Sequence, residues 1–336
     1  MIKKKHIYIY SPSGAVRDRA AFKRGLARLK TLGHEVEVDV AALASHLRFA
    51  GDDDTRLAAI HRAAASGADV ALISRGGYGI TRILGGIRYA KVAKAVDNGM
   101  LFVGISDFTA FSLAVLAKTG AVTWAGPALC EGFGVDDKAD SSDGHGKIPS
   151  SGPDDIMEDC FNDMLTGQGE GTGWRQLRDA TSNKSKLIAN NSISTLENIE
   201  YTIKNGILWG GNLAVLVSLV GTPYLPQIKG GVLCLEDVAE HPYRIERMLT
   251  QLLHSGVLAR QKAIVLGQFT QYRQVPHDKG FQLATVVSWL RSQLKIPVLT
   301  NLPYGHVATK VLLPVGAKVD LLVQGRDAML VWGHIT

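Results

Sequence analysis

Hydrophobic positions in the first third of the chain follow two alternating rhythms. HIYIYSPSG, from His6, is a short apolar run ending in a Ser/Pro/Gly loop, as a strand does. Asp18 to Leu32 carries apolar residues at helical spacing and stops at Gly33. HEVEVDV, from His34, alternates as a strand, and Thr55 to Ala65 is helical again behind Asp52, Asp53 and Asp54. ADVALISRGGYG, from Ala68, reads as a strand ending in a glycine turn, with two short helical stretches after it. Met100 to Val103 is a buried strand that breaks at Gly104. Helical spacing then resumes through Phe108, Phe111, Leu113, Ala114 and Leu116. This βαβα order predicts an α/β fold, a mostly parallel sheet with helices on both faces. Functional loops in such sheets lie at the carboxyl ends of the strands. Here those are Ser11–Gly14, Arg75–Gly79 and Ser106.

The rhythm lapses from Asp136 to Asp155, where DDKADSSDGHGKIPSSGPDD reads as a flexible linker or insertion. KSKLIANNSISTLENI is polar and irregular, and WGGNLAVLVSLVG, from Trp209, predicts a loop followed by a short helix. GGVLCLEDV, from Gly230, is a buried strand with an acidic end. Pro242 to Leu253 is a helix with proline in its first turn. AIVLGQF is another strand and Phe281 to Leu294 another helix. PVLTNL, KVLLPVG, KVDLLVQG and AMLVWG are short strands that end the chain. The pattern predicts a first domain over residues 1–135, a polar linker or insertion over 136–170, and a second α/β domain over 171–336. The second sheet is expected to be more twisted and partly antiparallel. No internal repeat is visible.

Composition narrows the function classes. With 336 residues, 46% hydrophobic and 20% charged, the chain has room for two globular domains. No apolar run is long enough to span a bilayer, and the apolar stretch of MIKKKHIYIYSPSG is too short for a secretory signal, so a cytoplasmic location is expected. Cys130, Cys160 and Cys234 are odd in number, widely spaced and in no CxxC pair, which argues against a disulfide framework or a thiolate zinc site. The net charge of +6 is spread along the chain, without the dense basic stripe of a nucleic-acid binder. A mild positive field also suits a small anionic substrate. GDDDTR, from Gly51, reads as helix capping rather than a metal site. His145 and His241 belong to no HExxH or EF-hand pattern, so neither a metal nor a cofactor is expected.

Ser106 sits where a strand turns into a helix, the place where α/β enzymes expose a nucleophile beside free helix N-terminal N–H groups. A serine there also serves as a helix N-cap, and GISDF lacks the second glycine of a G-x-S-x-G elbow. Serine attack needs a base and a group that orients the base. Glu236 and Asp237 end a buried strand; alternation points them opposite ways, so only one enters a shared site. His306, in NLPYGHVATK, follows a strand end beside Gly305 and is the best base. The order Ser106, Glu236, His306 is the Ser…acid…His order of α/β-hydrolases. RGGYG can bring a backbone N–H at Gly77 close to a substrate oxygen, or can be a structural turn; it fits neither a dinucleotide fingerprint nor a P-loop. Trp124, in WAGPALCEGFG, lines a pocket or fills a core. A binding protein on the same frame, with Ser106 only a cap, is the non-enzymatic alternative.

Taken in order, SPSG, GDDDTR, RGGYGITRIL, GISDFT, WAGP, GGNLAVL, LEDVAEHPYRIERML and LPYGHVATKVLLPVG resemble the LD-carboxypeptidase A family of serine peptidases, the murein tetrapeptide carboxypeptidases. The resemblance spans nearly the whole chain. It implies a catalytic triad of Ser106, Glu236 and His306, with an oxyanion hole from the main-chain N–H groups of Asp107 and Gly77. It also implies a flavodoxin-like N-terminal domain, a smaller swivelling C-terminal domain and a cytoplasmic homodimer. The implied activity is release of terminal D-alanine from murein tetrapeptides in peptidoglycan recycling. A carboxypeptidase must bind a free carboxylate, for which Arg75 and Arg244 are candidates. The 136–155 excursion is longer than the family pattern leads one to expect. Extra sequence in this region is also a mark of the sister branch, the microcin C immunity peptidases, which cleave aminoacyl-nucleotide conjugates. LEDVAEHPYRIERML is closer to the carboxypeptidase branch.

Overall fold

A computed structural model describes residues 4–136, 152–177 and 200–335. His145, most of the polar excursion and all of KSKLIANNSISTLENI lie outside the described residues. Strands β1 (His6–Tyr10), β2 (Glu35–Val38), β3 (Val70–Ile73), β4 (Leu101–Gly104) and β5 (Thr123–Ala125) alternate with helices α1 (Arg19–Thr31), α2 (Asp53–Ala65), α3 (Ile80–Ile83), α4 (Tyr89–Asp97) and α5 (Phe108–Thr119). The strands pair in parallel in the order β2-β1-β3-β4-β5, the flavodoxin-like order. Alternate strand residues feed the two faces. Tyr8, Tyr10, Ala71, Ile73 and Phe102 enter one core, and Ile7, Ile9, Val70, Leu72 and Val103 the other. Helix α6 (Asp155–Thr166), from the stretch expected to be linker, packs Met157, Phe161 and Met164 into this second core.

The second sheet holds β6 (Gly171–Arg175), β7 (Glu200–Asn212), β8 (Val232–Val238), β9 (Ala263–Thr270), β10 (Val298–Leu299), β12 (Lys318–Gln324) and β13 (Asp327–Val331). β7 to β10 are parallel, and β12, β13 and β6 add antiparallel strands beside β7, so the sheet is mixed. Helices α7 (Leu213–Ser218), α8 (Pro242–His254) and α9 (Leu283–Gln293) complete this half. β11 (Leu313–Val315) crosses back and pairs antiparallel with β5, so the first sheet has six strands.

One expectation is corrected here. WGG is not a loop: β7 runs through Trp209, Gly210 and Gly211 to Asn212. Both glycines have positive φ (122° and 131°), and a Cβ at Gly210 would strike the Cys234 carbonyl of β8. The glycines let two backbones approach closely, and they also remove the apolar alternation that marks a strand.

Candidate active site

Ser106 lies just past the carboxyl end of β4, in the turn that leads into α5, and is half-buried. Its φ is 67°, a left-handed conformation that few residues other than glycine adopt. Such a turn lifts the side chain out of the sheet, as the strand-to-helix elbow of a serine hydrolase does. Ser106 does not cap α5; Asp107 occupies the N-cap position, and its side chain makes no cap hydrogen bond. That carboxylate instead accepts from Ser13 Oγ (2.5 Å) and from the Ile80 N–H (2.9 Å), tying the turn to the first and third strand-end loops. Burial holds the Asp107 carboxyl above its usual range despite these bonds.

The glycine turn after β3 lies against the serine. A Cβ on Gly76 would sit 2.9 Å from Ser106 Oγ, so only glycine fits there. Gly77, the residue expected in the oxyanion hole, has φ 120° and lies beside Gly14 and the Arg75 guanidinium. Among the described residues, neither the Gly77 nor the Asp107 N–H donates to a protein acceptor. Sequence reasoning picked Gly77 and passed over Gly76. The signal was the doubled glycine itself, but which of the two faces Ser106 is fixed only by the turn.

Glu236 is fully buried near the end of β8. Its Oε2 lies 2.8 Å from His306 Nδ1, and its Oε1 accepts from Asn212 Nδ2 at 3.2 Å. Asp237 Oδ1 accepts from the same Asn212 amide at 2.9 Å, while Oδ2 accepts from the Ala214 N–H. Only Glu236 reaches the histidine. A register shift between Leu235 and Asp237 interrupts the strand at this point, and one amide bridges both carboxylates. Burial pushes the Asp237 carboxyl up to about 6, against the Asn212 hydrogen bond. His306 Nδ1–H bonded to Glu236 leaves Nε2 as the free base nitrogen. Burial disfavours its protonation, but the Glu236 bond and charge outweigh burial, and its pKa is raised above 6.5. Gly305, at φ 139°, makes the approach possible; a Cβ there would lie 3.1 Å from Glu236 Oε2.

The two halves of the site are linked through Thr109. Its N–H donates to the Ser106 carbonyl, and its Oγ1 accepts from the Asn212 N–H at 3.0 Å. Hydrogen bonds therefore run from the Ser106 turn through Thr109 and Asn212 to Glu236 and His306. Asn212, the amide within GGNLAVL, is the joint of this chain. No hydrogen bond joins Ser106 directly to His306 among the described residues. Such bonds often tighten only when substrate arrives.

The remaining candidates fall in three places. Arg75 is at the site, with Nε 3.3 Å from Glu131 Oε1 and one amino group donating to the Ala15 carbonyl. Arg244 lies on the surface of α8, paired with Glu240 and with its guanidinium over Tyr243. Trp124 is 4% exposed and packs edge-on to Trp332 in the second core, which contains none of Ser106, Glu236 and His306. The Asp52–Asp54 run is spent on α2: Asp52 caps it through the Thr55 N–H, and Asp53 binds Arg56 and Arg82.

Known proteins resemble this chain along most of its length. A model of the LD-carboxypeptidase N-terminal domain matches residues 7–126, and one of the LD-carboxypeptidase C-terminal domain matches residues 205–321. A probable murein peptide carboxypeptidase of Bacillus subtilis is 29% identical over 314 residues, 93% of this chain and 88% of that protein. The crystal structure of a muramoyltetrapeptide carboxypeptidase from Oxalobacter formigenes matches with a TM-score of 0.79 and 37% identity over 98% of both chains. The microcin C7 self-immunity protein of Escherichia coli is 27% identical over 243 residues, 67% of this chain and 64% of that protein. Its wild-type structure gives a TM-score of 0.79 at 21% identity, covering 100% of this chain and 98% of that one, a likeness of fold.

Proposed function

The chain belongs to the LD-carboxypeptidase family of serine peptidases, and we propose that it releases terminal D-alanine from murein tetrapeptides. The observation that carries this reading is the Glu236–His306 pair at 2.8 Å, joined by hydrogen bonds through Asn212 and Thr109 to a serine held at φ 67°. His306 Nε2 accepts the Ser106 Oγ proton as Oγ attacks the carbonyl that joins diaminopimelate or lysine to D-alanine. The oxyanion is met by the Asp107 and Gly77 N–H groups. His306 returns the proton to the departing amine of D-alanine, and water activated by His306 then resolves the acyl-enzyme. Glu236 fixes the tautomer and supports the imidazolium that forms in both steps. Acting in peptidoglycan recycling, the enzyme works in the cytoplasm as a homodimer. Among the described residues no helix is long and apolar enough to cross a membrane.

Incubation with free murein tetrapeptide, followed by quantification of D-alanine, tests the reading. Wild type should release D-alanine, and Ser106→Ala or His306→Ala should lower kcat by about 10⁴ or more. Unchanged release by Ser106→Ala would remove the serine from the mechanism. The second reading is cleavage of aminoacyl-nucleotide conjugates, prompted by the likeness to the microcin C7 self-immunity protein, which has been solved with aspartyl sulfamoyl adenosine. Its 21% identity against 37% for the muramoyltetrapeptide carboxypeptidase ranks it second. Turnover of such a conjugate with no release from tetrapeptide would reverse that order.

A further inference from the structure

Lys310 lies four residues past His306 on the same loop and is 3% exposed. The loop is pinned on either side of it: Thr309 Oγ1 donates to Asp154 Oδ2 (2.6 Å), and the Val311 N–H donates to the Pro303 carbonyl. Among the described residues the Lys310 ammonium has neither a hydrogen bond nor an ion pair. Arg56, the other cationic side chain buried to this degree among the described residues, binds the Asp53 carboxylate and the Pro12 and Gly79 carbonyls. A buried cation without a partner is costly, and proteins seldom keep one without use.

The groups that face Lys310 are already engaged. Glu131, Glu236 and Asp154 are the carboxylates within electrostatic reach, and His306 is coupled to it as well. Glu131 binds Arg75, Glu236 binds His306, and Asp154 accepts from Thr309 and caps α6. Burial holds the ammonium below the ordinary lysine range against the pull of these three carboxylates. Nor is the ammonium sealed in. Among the described residues the fully enclosed side-chain polar atoms without partners are Tyr10 Oη, His34 Nδ1, Arg56 Nε, Ser112 Oγ, Thr123 Oγ1, Asn162 Oδ1 and Thr300 Oγ1, and Lys310 Nζ is not among them. The little surface that Lys310 keeps therefore includes its charged tip.

The geometry of the proposed reaction says where a carboxylate must go. In a C-terminal residue the carboxylate carbon is two bonds from the scissile nitrogen, roughly 2.5 Å away. His306 must reach that same nitrogen to protonate it. The cation that holds the carboxylate therefore belongs on the histidine side of the site. Arg75 is already engaged by the Glu131 carboxylate and the Ala15 carbonyl, and Arg244 is paired on the surface of α8. We propose that Lys310 is the specificity-determining residue that binds the free α-carboxylate of the departing C-terminal residue, the unpartnered ammonium on the His306 loop being its anchor. This assignment rests on the carboxypeptidase function proposed above. Sequence reasoning passed over Lys310, although a lone lysine amid the otherwise uncharged VATKVLLPVG was a visible signal.

The test compares murein tetrapeptide with the same peptide ending in D-alaninamide, on wild type, Lys310→Met and Lys310→Arg. Wild type should prefer the free acid. Lys310→Met should raise KM for the acid by about 10- to 100-fold, with kcat within about threefold. It should leave the amide unchanged, so that the preference disappears, and Lys310→Arg should restore part of it. Because Met relieves a buried unpaired charge, its melting temperature should equal or exceed that of wild type, whereas a purely structural lysine would lower it. If Lys310→Met does not melt cooperatively, Lys310→Gln is read in the same way. A preference for the acid that survives in the neutral variant overturns the assignment alone. No hydrolysis of either peptide by wild type overturns the proposed function and the assignment with it.

Discussion

At Ser106 the backbone accepts a φ of 67° and the neighbouring loop accepts glycine at position 76, both so that one hydroxyl stands clear of the sheet. The opposing residue, His306, is tuned chiefly by its contact with Glu236. Burial alone would lower its pKa; the hydrogen bond and charge of Glu236 raise it above 6.5. A base must be neutral to accept the serine proton, so kcat/KM should rise with pH through the His306 pKa of the free enzyme. Glu236→Gln removes the two largest raising influences and leaves burial, the Lys310 charge and the weaker pull of Asp237. Its acid limb should therefore move to lower pH while the plateau falls by about 10⁴ through loss of the correct tautomer. A kcat/KM profile from pH 5 to 9 checks this; an acid limb that stays in place would detach Glu236 from the titration. The stability contribution of the pair runs the other way. It is complete below the unfolded histidine pKa of 6.5 and is lost as pH rises through the higher folded value.

Strand ends carry the site, and they were the most legible feature of the chain. Alternation of period 2 with period 3.6 placed Ser11–Gly14, Arg75–Gly79 and Ser106 at carboxyl ends, and all three loops meet around Asp107 or Ser106. What stayed hidden depends on contacts distant in sequence. The strand character of Gly210 and Gly211 comes from their approach to β8, and the burial of Lys310 from the loop's anchor on Asp154. Asn212 looked like part of a glycine loop because its partners lie 24 and 103 residues away. The same dependence governs how the first elements are held. Asp39, just past β2, accepts from Tyr8 of β1 and from both donors of the Arg62 fork on α2. Burial opposes its charge, but the Arg62 and Tyr8 bonds prevail and hold its carboxyl below the ordinary range. Arg62→Met strands this buried carboxylate and should cost about 3 kcal/mol at pH 7. The folded pKa is depressed, so the contribution is present above the unfolded value of 3.8 and fades as pH falls through the folded one. Thermal melts should therefore show the gap between variant and wild type closing toward pH 3. A constant gap would point to lost packing instead.

Across the molecule the two sheets share one apolar core. Tyr8, Ile73, Phe102 and Phe108 of the first half belong to the same buried cluster as Leu208, Trp209, Val232 and Leu266 of the second. Helix α5 is apolar on every side, with Phe108 through Leu116 all buried. A helix of that kind needs cover all round, and here it packs both on its own sheet and on β7 and α7. β11 adds a covalent constraint. The chain leaves the second half to complete the edge of the first sheet beside β5, then returns as β12. Ser106 at the head of α5 is thus positioned by a helix that the second half covers, while His306 belongs to the segment just before β11. Separating the halves would expose α5 and remove a strand from the first sheet. Two-domain chains commonly unfold in steps, but a shared core couples them. Differential scanning calorimetry should give a single endotherm with van't Hoff and calorimetric enthalpies equal, coincident with far-UV circular dichroism. A chain ending before Leu313 should then show no cooperative transition in the first half either. Two resolved endotherms, or a truncated chain that still melts cooperatively, would mean that the first sheet stands without β11 and that the nucleophile is positioned independently of the half that carries its base.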